Sequence, residues 1–399
     1  MRTPLVYGEG GVDPYAQAAE QHKTTSIEVL FATDRARSDS DVPGERYAAR
    51  RGTCLLLGSA TVEFKSKDES WDALHAATLA QEPLDLEVVA SEEFGPLWTT
   101  LTVEARDELA QEEMFLPGIK FADALGARLE HCPRKELLIY VHGFNTTHDT
   151  TMQQAAQLCH YLARDMPVML YSWPTRSSVF GYVGDKVESF RSTRNFRELL
   201  DFLARQTSLE RIHLFSYSAG APIVTEALLQ LCLMHRGEDP DEVKRAQKIH
   251  TVIYAAPDQD LQAFKMMALD GIGDLVEVFT LYTNSSDTSF GLGKTFLYRD
   301  PRLGRPDEGL TEQDKAGLRE LEDSGFVDVS NAESKAGKSG LGHMYWYQNA
   351  WVITDLVLGL RSNLPPAERG LVRGAGESVW TFPDDYPERV RAVALEHWK

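Results

Sequence analysis

Residues 211–230 read RIHLFSYSAGAPIVTEALLQ, and the change of rhythm inside that stretch decides the fold. Ile212 to Phe215 is a short apolar run flanked by charge, the pattern of a buried strand. From Ala219 onward the apolar residues take helical spacing. Ser218 stands at the junction. Around it, Ser216-Tyr217-Ser218-Ala219-Gly220 matches the G-x-S-x-G elbow, with Ser in place of the first glycine. In that elbow a strand turns so sharply into a helix that the residues two before and two after the serine must be small. Gly220 meets the demand fully and Ser216 nearly so. The turn exposes the serine hydroxyl above the sheet edge and points the N–H of Ala219 at the same spot. The bland alternative is a helix-capping serine.

Outward from the elbow, the chain from Glu136 alternates strand, loop and helix. Strands are expected at 137–141, 168–173, 248–256, 275–282 and 326–329. Helices are expected at 150–163, 188–205 and 344–360, besides the one that follows the elbow. This rhythm predicts an α/β fold, a mainly parallel central sheet flanked by helices. Ligands in such sheets bind at the carboxyl ends of the strands. Upstream, 27–33 reads as a strand followed by a charged turn at 34–39. A second apolar run, 53–64, is interrupted by Gly58-Ser59, and 84–90 and 97–103 partly alternate as strands do. The expected division is a polar leader at 1–26, a domain at 27–362 and a C-terminal extension at 363–399. Within the domain, 27–135 is a β-rich N-terminal part and 136–362 the catalytic core. The polar stretch 288–324 reads as a loop insertion near the site.

The 399 residues are 43% hydrophobic, enough for a sizeable core, and carry a formal net charge of −19. Such a surface repels nucleic acid and anionic membranes. The four cysteines, Cys54, Cys132, Cys159 and Cys232, form no C-x-x-C pair and read as reduced thiols. No run approaches the ~20 apolar residues that span a bilayer. The expectation is a soluble, cytoplasmic protein without stable membrane insertion; the sequence leaves its oligomeric state unknown.

Acyl transfer needs a nucleophile, a base, a group that orients the base and donors for the oxyanion. Ser218 is the candidate nucleophile. In the elbow fold the order along the chain is Ser, acid, His. Among the histidines after Ser218, His235 lies at the far end of the elbow helix, His250 opens a strand and His397 is in the tail. His343, in the glycine-containing loop before the closing helix, is the candidate base. The acid is Asp287, after the penultimate core strand, with Asp258, one strand earlier, as the alternative. The oxyanion donors would be the N–H groups of Ala219 and Phe144, with Gly143 letting the backbone approach and His142 and Asn145 holding that loop. Trp173, Phe180, Tyr182 and Tyr217 are candidate pocket residues. Asp260 reads as ordinary surface.

The set VHGFN (141–145), YSWP (171–174), FSYSAG (215–220), AAPD (255–258), the YTNSSD segment (282–287) and GHMYW (342–346) resembles a largely uncharacterised group of bacterial, esterase- or lipase-like α/β-hydrolases. The early VLFATDR (29–35) resembles the strand before their core. The likeness runs from about residue 27 to 360. It implies the α/β-hydrolase fold with an N-terminal extension, a Ser-Asp-His triad and hydrolysis of a small-molecule carboxylic ester; the substrate stays open. Lipase, thioesterase, amidase or peptidase chemistry on the same triad is the alternative, as is a non-catalytic binding protein of this fold. Gly291-Leu292-Gly293-Lys294-Thr295 hints at a phosphate loop but has Thr288 where its first glycine belongs. No H-E-x-x-H and no zinc-spaced Cys/His cluster occurs, so neither metal nor other cofactor is expected.

Overall fold

In the computed structural model the described residues are 1–8, 10–66, 68–176, 182–285, 287, 301–305, 310–320, 325–337 and 342–398, with side chains from 187 onward in the helix that starts at 182. Phe180, the phosphate-loop-like segment 291–295 and most of the expected insertion lie outside them, as does the side chain of Tyr182.

The strands are β1 (Ser26–Arg37), β2 (Tyr47–Lys65), β3 (Asp85–Pro96), β4 (Glu136–Val141), β5 (Val168–Ser172), β6 (Arg211–Tyr217), β7 (Ile249–Ala255), β8 (Val278–Thr283), β9 (Gly325–Asp328) and β10 (Val379–Thr381). They form one sheet in the order β10-β9-β8-β7-β6-β4-β5-β1-β2-β3. β2 runs antiparallel to its two neighbours, and the other pairings are parallel. The expected mainly parallel sheet with flanking helices is therefore present. β4 lies between β5 and β6, so the chain leaves β4 toward one side and returns on the other. This reversal of strand order opens a crevice at the carboxyl ends of β4 and β6.

Burial explains the apolar runs. Every residue of β4 is buried. Leu138 and Tyr140 feed one core and Leu137, Ile139 and Val141 the other, because side chains alternate across a strand. A strand covered on both faces reads as a continuous apolar run. One core holds the helices His148–Tyr161, Ala350–Ser362 and Tyr386–His397. The other holds Gln111–Leu129, Tyr182–Gln206 and the elbow helix Ala221–Met234.

Several elements depart from expectation. The charged turn at 34–39 is instead largely the continuation of β1 to Arg37. Asp34 and Arg35 can stay in the strand because both are buried and satisfied. Asp34 accepts from Tyr171 at 2.6 Å and Asn195 at 2.6 Å, and Arg35 donates to Ser172 and Thr175. Gly58-Ser59 does not interrupt β2; an added Cβ at Gly58 would meet the Phe31 ring at 2.4 Å. The closing helix is broken at Asn349, whose side chain caps Ala350–Ser362 by accepting from the N–H groups of Trp351 and Val352. Residues expected as a leader lie against the domain, with Val6, Tyr7, Val12 and Tyr15 buried. The C-terminal segment adds β10 to the sheet and sends the buried Arg369 to Asp355. Among the described residues, no helix is long and apolar enough to cross a membrane.

Candidate active site

β6 ends at Tyr217 and the next residue, Ser218, has φ +52, a left-handed conformation uncommon for a non-glycine residue. Ser218–Gly220 form a single tight turn before the helix begins. Gly220 is required there: a Cβ would stand 2.5 Å from the carbonyl oxygen of His142 and 2.8 Å from that of Val141. Ser216 pairs with Val141 and Tyr254 inside the sheet. It is fully buried, and among the described residues its hydroxyl has no hydrogen-bond partner. Small size admits serine at this position.

His343 joins the elbow to the β8 edge. Its Nε2 lies 2.8 Å from the Ser218 hydroxyl and its Nδ1 lies 2.7 Å from Oδ2 of Asp287. An ionised carboxylate can only accept, so Nδ1–H donates to Asp287 and the Nε2 lone pair faces the serine hydroxyl. Asp287 is 1% exposed and Ser218 7%. Asn284, which directly follows β8, donates to the carbonyl of Gly342 at 2.7 Å and accepts the N–H of Asp287 through its own carbonyl at 3.1 Å. It ties the Asp287 loop to the His343 loop. Sequence reasoning passed over it, though its place at a carboxyl edge inside the YTNSSD segment was the available signal. The ring of Tyr217 lies 5.3 Å from that of His343, centroid to centroid, and packs on Trp346 and Tyr347.

Asp258 sits close by but is otherwise engaged. Its carboxylate pairs with Arg302 at 3.2 Å, and its N–H donates to the Ser218 carbonyl at 3.1 Å. The helix after it, Leu261–Leu269, is capped by Asp260, which accepts from the Ala263 N–H at 2.8 Å. Asp260 is thus a helix cap where ordinary surface was expected, because the acid nearest the first turn takes the orphan donors.

The loop after β4 reaches the elbow. A Cβ on Gly143 would meet the Tyr217 ring at 2.8 Å and the Ser218 Cβ at 3.1 Å. His142 is fully buried and its Nδ1 donates to the Gly143 carbonyl at 2.8 Å. Burial first, and then the nearby Arg35 charge, hold that imidazole well below its usual pKa, so it is neutral. Trp173 departs from expectation. It is fully buried, stacks on His142 and donates to the His142 carbonyl at 2.7 Å, so among the described residues it supports the loop from beneath. Asn145 is exposed with φ +58 and forms no side-chain tie among the described residues; it serves as a residue that tolerates the left-handed turn. Phe144 is half-buried between them.

A small cavity of about 100 Å³ lies beside Ala219, between the helices Tyr182–Gln206 and Ala221–Met234. Ser189, Phe190, Thr193, Pro222 and Glu226 complete its wall. Burial pushes the Glu226 carboxyl up. The sequence offers only a weak sign of this cavity, the aromatic Phe190 in a charged helix; in the structure that ring is 73% exposed. Among the described residues no group of three or more His, Cys, Asp or Glu side chains is placed to hold a metal ion.

Among solved structures, a C6-C4 SN3 inhibited esterase B from Lactobacillus rhamnosis is similar, at 12% identity and TM-score 0.30, over 58% of this chain and 81% of that one. A lipase-esterase related protein from Clostridium acetobutylicum is similar at 11% identity and TM-score 0.28, over 56% of this chain and 94% of that one. At such identities and scores neither likeness speaks to chemistry. No curated protein matches significantly. Residues 119–361, more than half of the chain, match the family described as "Alpha/beta hydrolase of unknown function (DUF900)", and the chain belongs to that family.

Proposed function

We propose that this hydrolase cleaves carboxylic esters through an acyl-enzyme on Ser218. The observation that carries the reading is the pair of hydrogen bonds on opposite nitrogens of one ring: His343 to Ser218 at 2.8 Å and to Asp287 at 2.7 Å. A serine hydroxyl is a poor nucleophile at neutral pH. As its oxygen attacks the ester carbonyl, the proton passes to Nε2 of His343. The Asp287 carboxylate keeps Nδ1 protonated and steadies the imidazolium that forms. Negative charge gathers on the former carbonyl oxygen, toward which the N–H groups of Ala219 and Phe144 would point. The carbonyl re-forms, the C–O bond breaks, and the alcohol leaves with the proton held by His343. Water then attacks the acyl-enzyme, gives a proton to Nε2, and releases the acid and the free serine. The unit that performs this is 27–362, with the β-rich part 27–135 attached to the core 136–362.

The reading is tested by turnover of p-nitrophenyl esters across an acyl chain-length series. Ser218→Ala should lower kcat by roughly 10⁴-fold or more while the protein stays folded. Turnover retained by that variant would place the nucleophile elsewhere. Thioester and amide analogues of the best substrate separate esterase from thioesterase or amidase action.

A further inference from the structure

The loop that carries Phe144 is anchored at both ends by buried donors. Upstream, the His142 carbonyl accepts from Trp173 at 2.7 Å. Downstream, the Thr146 carbonyl accepts twice: from Nη2 of Arg35 at 3.1 Å and from the Thr175 hydroxyl at 2.8 Å. The same Nη2 also donates to the Thr175 oxygen at 3.1 Å, and Nε of Arg35 donates to the Ser172 hydroxyl at 3.0 Å. Arg35 is 1% exposed, deep for a residue that usually keeps its charge in water. It comes from β1, about 110 residues before the loop it holds, and outside the span 119–361 that defines the family.

We infer that Arg35 is a positioning residue for the oxyanion loop: its planar fork fixes the Thr146 carbonyl against the end of β5 and so sets the aim of the Phe144 N–H two residues earlier. The inference rests on the proposed function and adds that the N-terminal β-rich part completes the catalytic unit. Three features support it. Oxyanion donors must be placed before charge develops, since a donor that has to move loses its advantage. The loop contains a left-handed residue, Asn145, and Gly143, so its own backbone does not fix its path. The clamp is shared, since the Ser172 hydroxyl that accepts from Arg35 also lies 3.1 Å from Nδ1 of the buried His148 on the helix that follows the loop.

Two full-length variants test this. Arg35→Met keeps the length and removes the fork; Thr175→Val removes the second donor to Thr146 together with the oxygen that accepts from Arg35, and leaves the guanidinium in place. Arg35→Met should lower kcat on p-nitrophenyl butyrate by roughly 10- to 100-fold, part of the 10²–10³ that an entire donor supplies, with KM within about threefold. Affinity for a trifluoromethyl ketone, which adds to the serine and forms the oxyanion, should weaken by the same factor. Arg35→Lys should recover part of both. Thr175→Val should lower kcat by roughly 3- to 10-fold. Wild-type kcat in folded Arg35→Met, or a lowered kcat with undiminished ketone affinity, overturns the inference. If Arg35→Met does not fold, wild-type kcat in Thr175→Val overturns it alone. Turnover surviving in Ser218→Ala would instead sink the proposed function, so the two failures are distinguishable.

Discussion

Two carboxylates lie near the elbow, and their hydrogen bonds separate them. Asp287 meets His343 Nδ1, whereas Asp258 pairs with Arg302 and meets the Ser218 carbonyl through its backbone N–H. On the proposed mechanism, Asp287→Asn keeps the shape but removes the acceptor that holds the ring in its working tautomer. The kcat for ester hydrolysis should fall roughly 10⁴-fold, as it does when such an aspartate is lost elsewhere. Asp258→Asn should cost far less; the reverse order would move the acid to Asp258. Gly143→Ala tests the approach of the two loops. Its Cβ has no room against Tyr217 and Ser218, so the loop must retreat from the serine. Activity in a steady-state assay should drop at least roughly tenfold, on the scale of a partly lost oxyanion donor. Wild-type rates would mean that the loop contributes no donor.

At the scale of elements, legibility followed chemistry. β4, β6 and the elbow helix could be read because double burial leaves an unbroken apolar run and the turn demands small residues. His343 and Asp287 stand out as candidates because chain order restricts the choice. Asp34-Arg35 could not be read, because a charged pair inside a strand looks like a turn until its partners, more than a hundred residues distant, are known. Asn284 and Asp260 are hard to assign for a different reason: short polar residues at element ends have many uses. The C-terminal segment is a further case. Arg369, 1% exposed, pairs with the fully buried Asp355 at 3.3 Å, and an added Cβ on Gly359 would stand 2.5 Å from its guanidinium. Arg369→Leu leaves a buried carboxyl without its cation. Urea unfolding should show a loss of about 3–5 kcal/mol. A loss under about 1 kcal/mol would mean that the segment does not depend on this pair.

For the whole molecule, the buried histidines set the response to acid. Burial lowers His148 to about 3 and holds His142 and His160 well below their ordinary value; the Arg35 charge adds to it at His148 and His142, and the Arg164 charge at His160. Below about pH 6.5 the unfolded chain therefore binds protons that the native state refuses, so stability falls as pH drops from there toward 3. Each such group contributes up to about 1.4 kcal/mol per pH unit in that window. Asp34 and Asp355, whose carboxyls burial pushes up, act in the opposite sense near their own titration. Denaturant unfolding from pH 7 to 5 should show the decline, and His148→Phe should flatten it by about one proton's worth. Parallel profiles for the two proteins would contradict the assignment of His148 as a neutral buried ring.

On the proposed mechanism one hydroxyl, that of Ser218, is activated by one imidazole, that of His343. Intact-protein and peptide mass spectrometry after brief exposure to a fluorophosphonate measures this directly. The prediction is a single adduct, carried by the peptide containing Ser218, absent in Ser218→Ala and slowed by roughly 10³-fold or more in folded His343→Ala. An adduct on another residue, or labelling of His343→Ala at the wild-type rate, would contradict it.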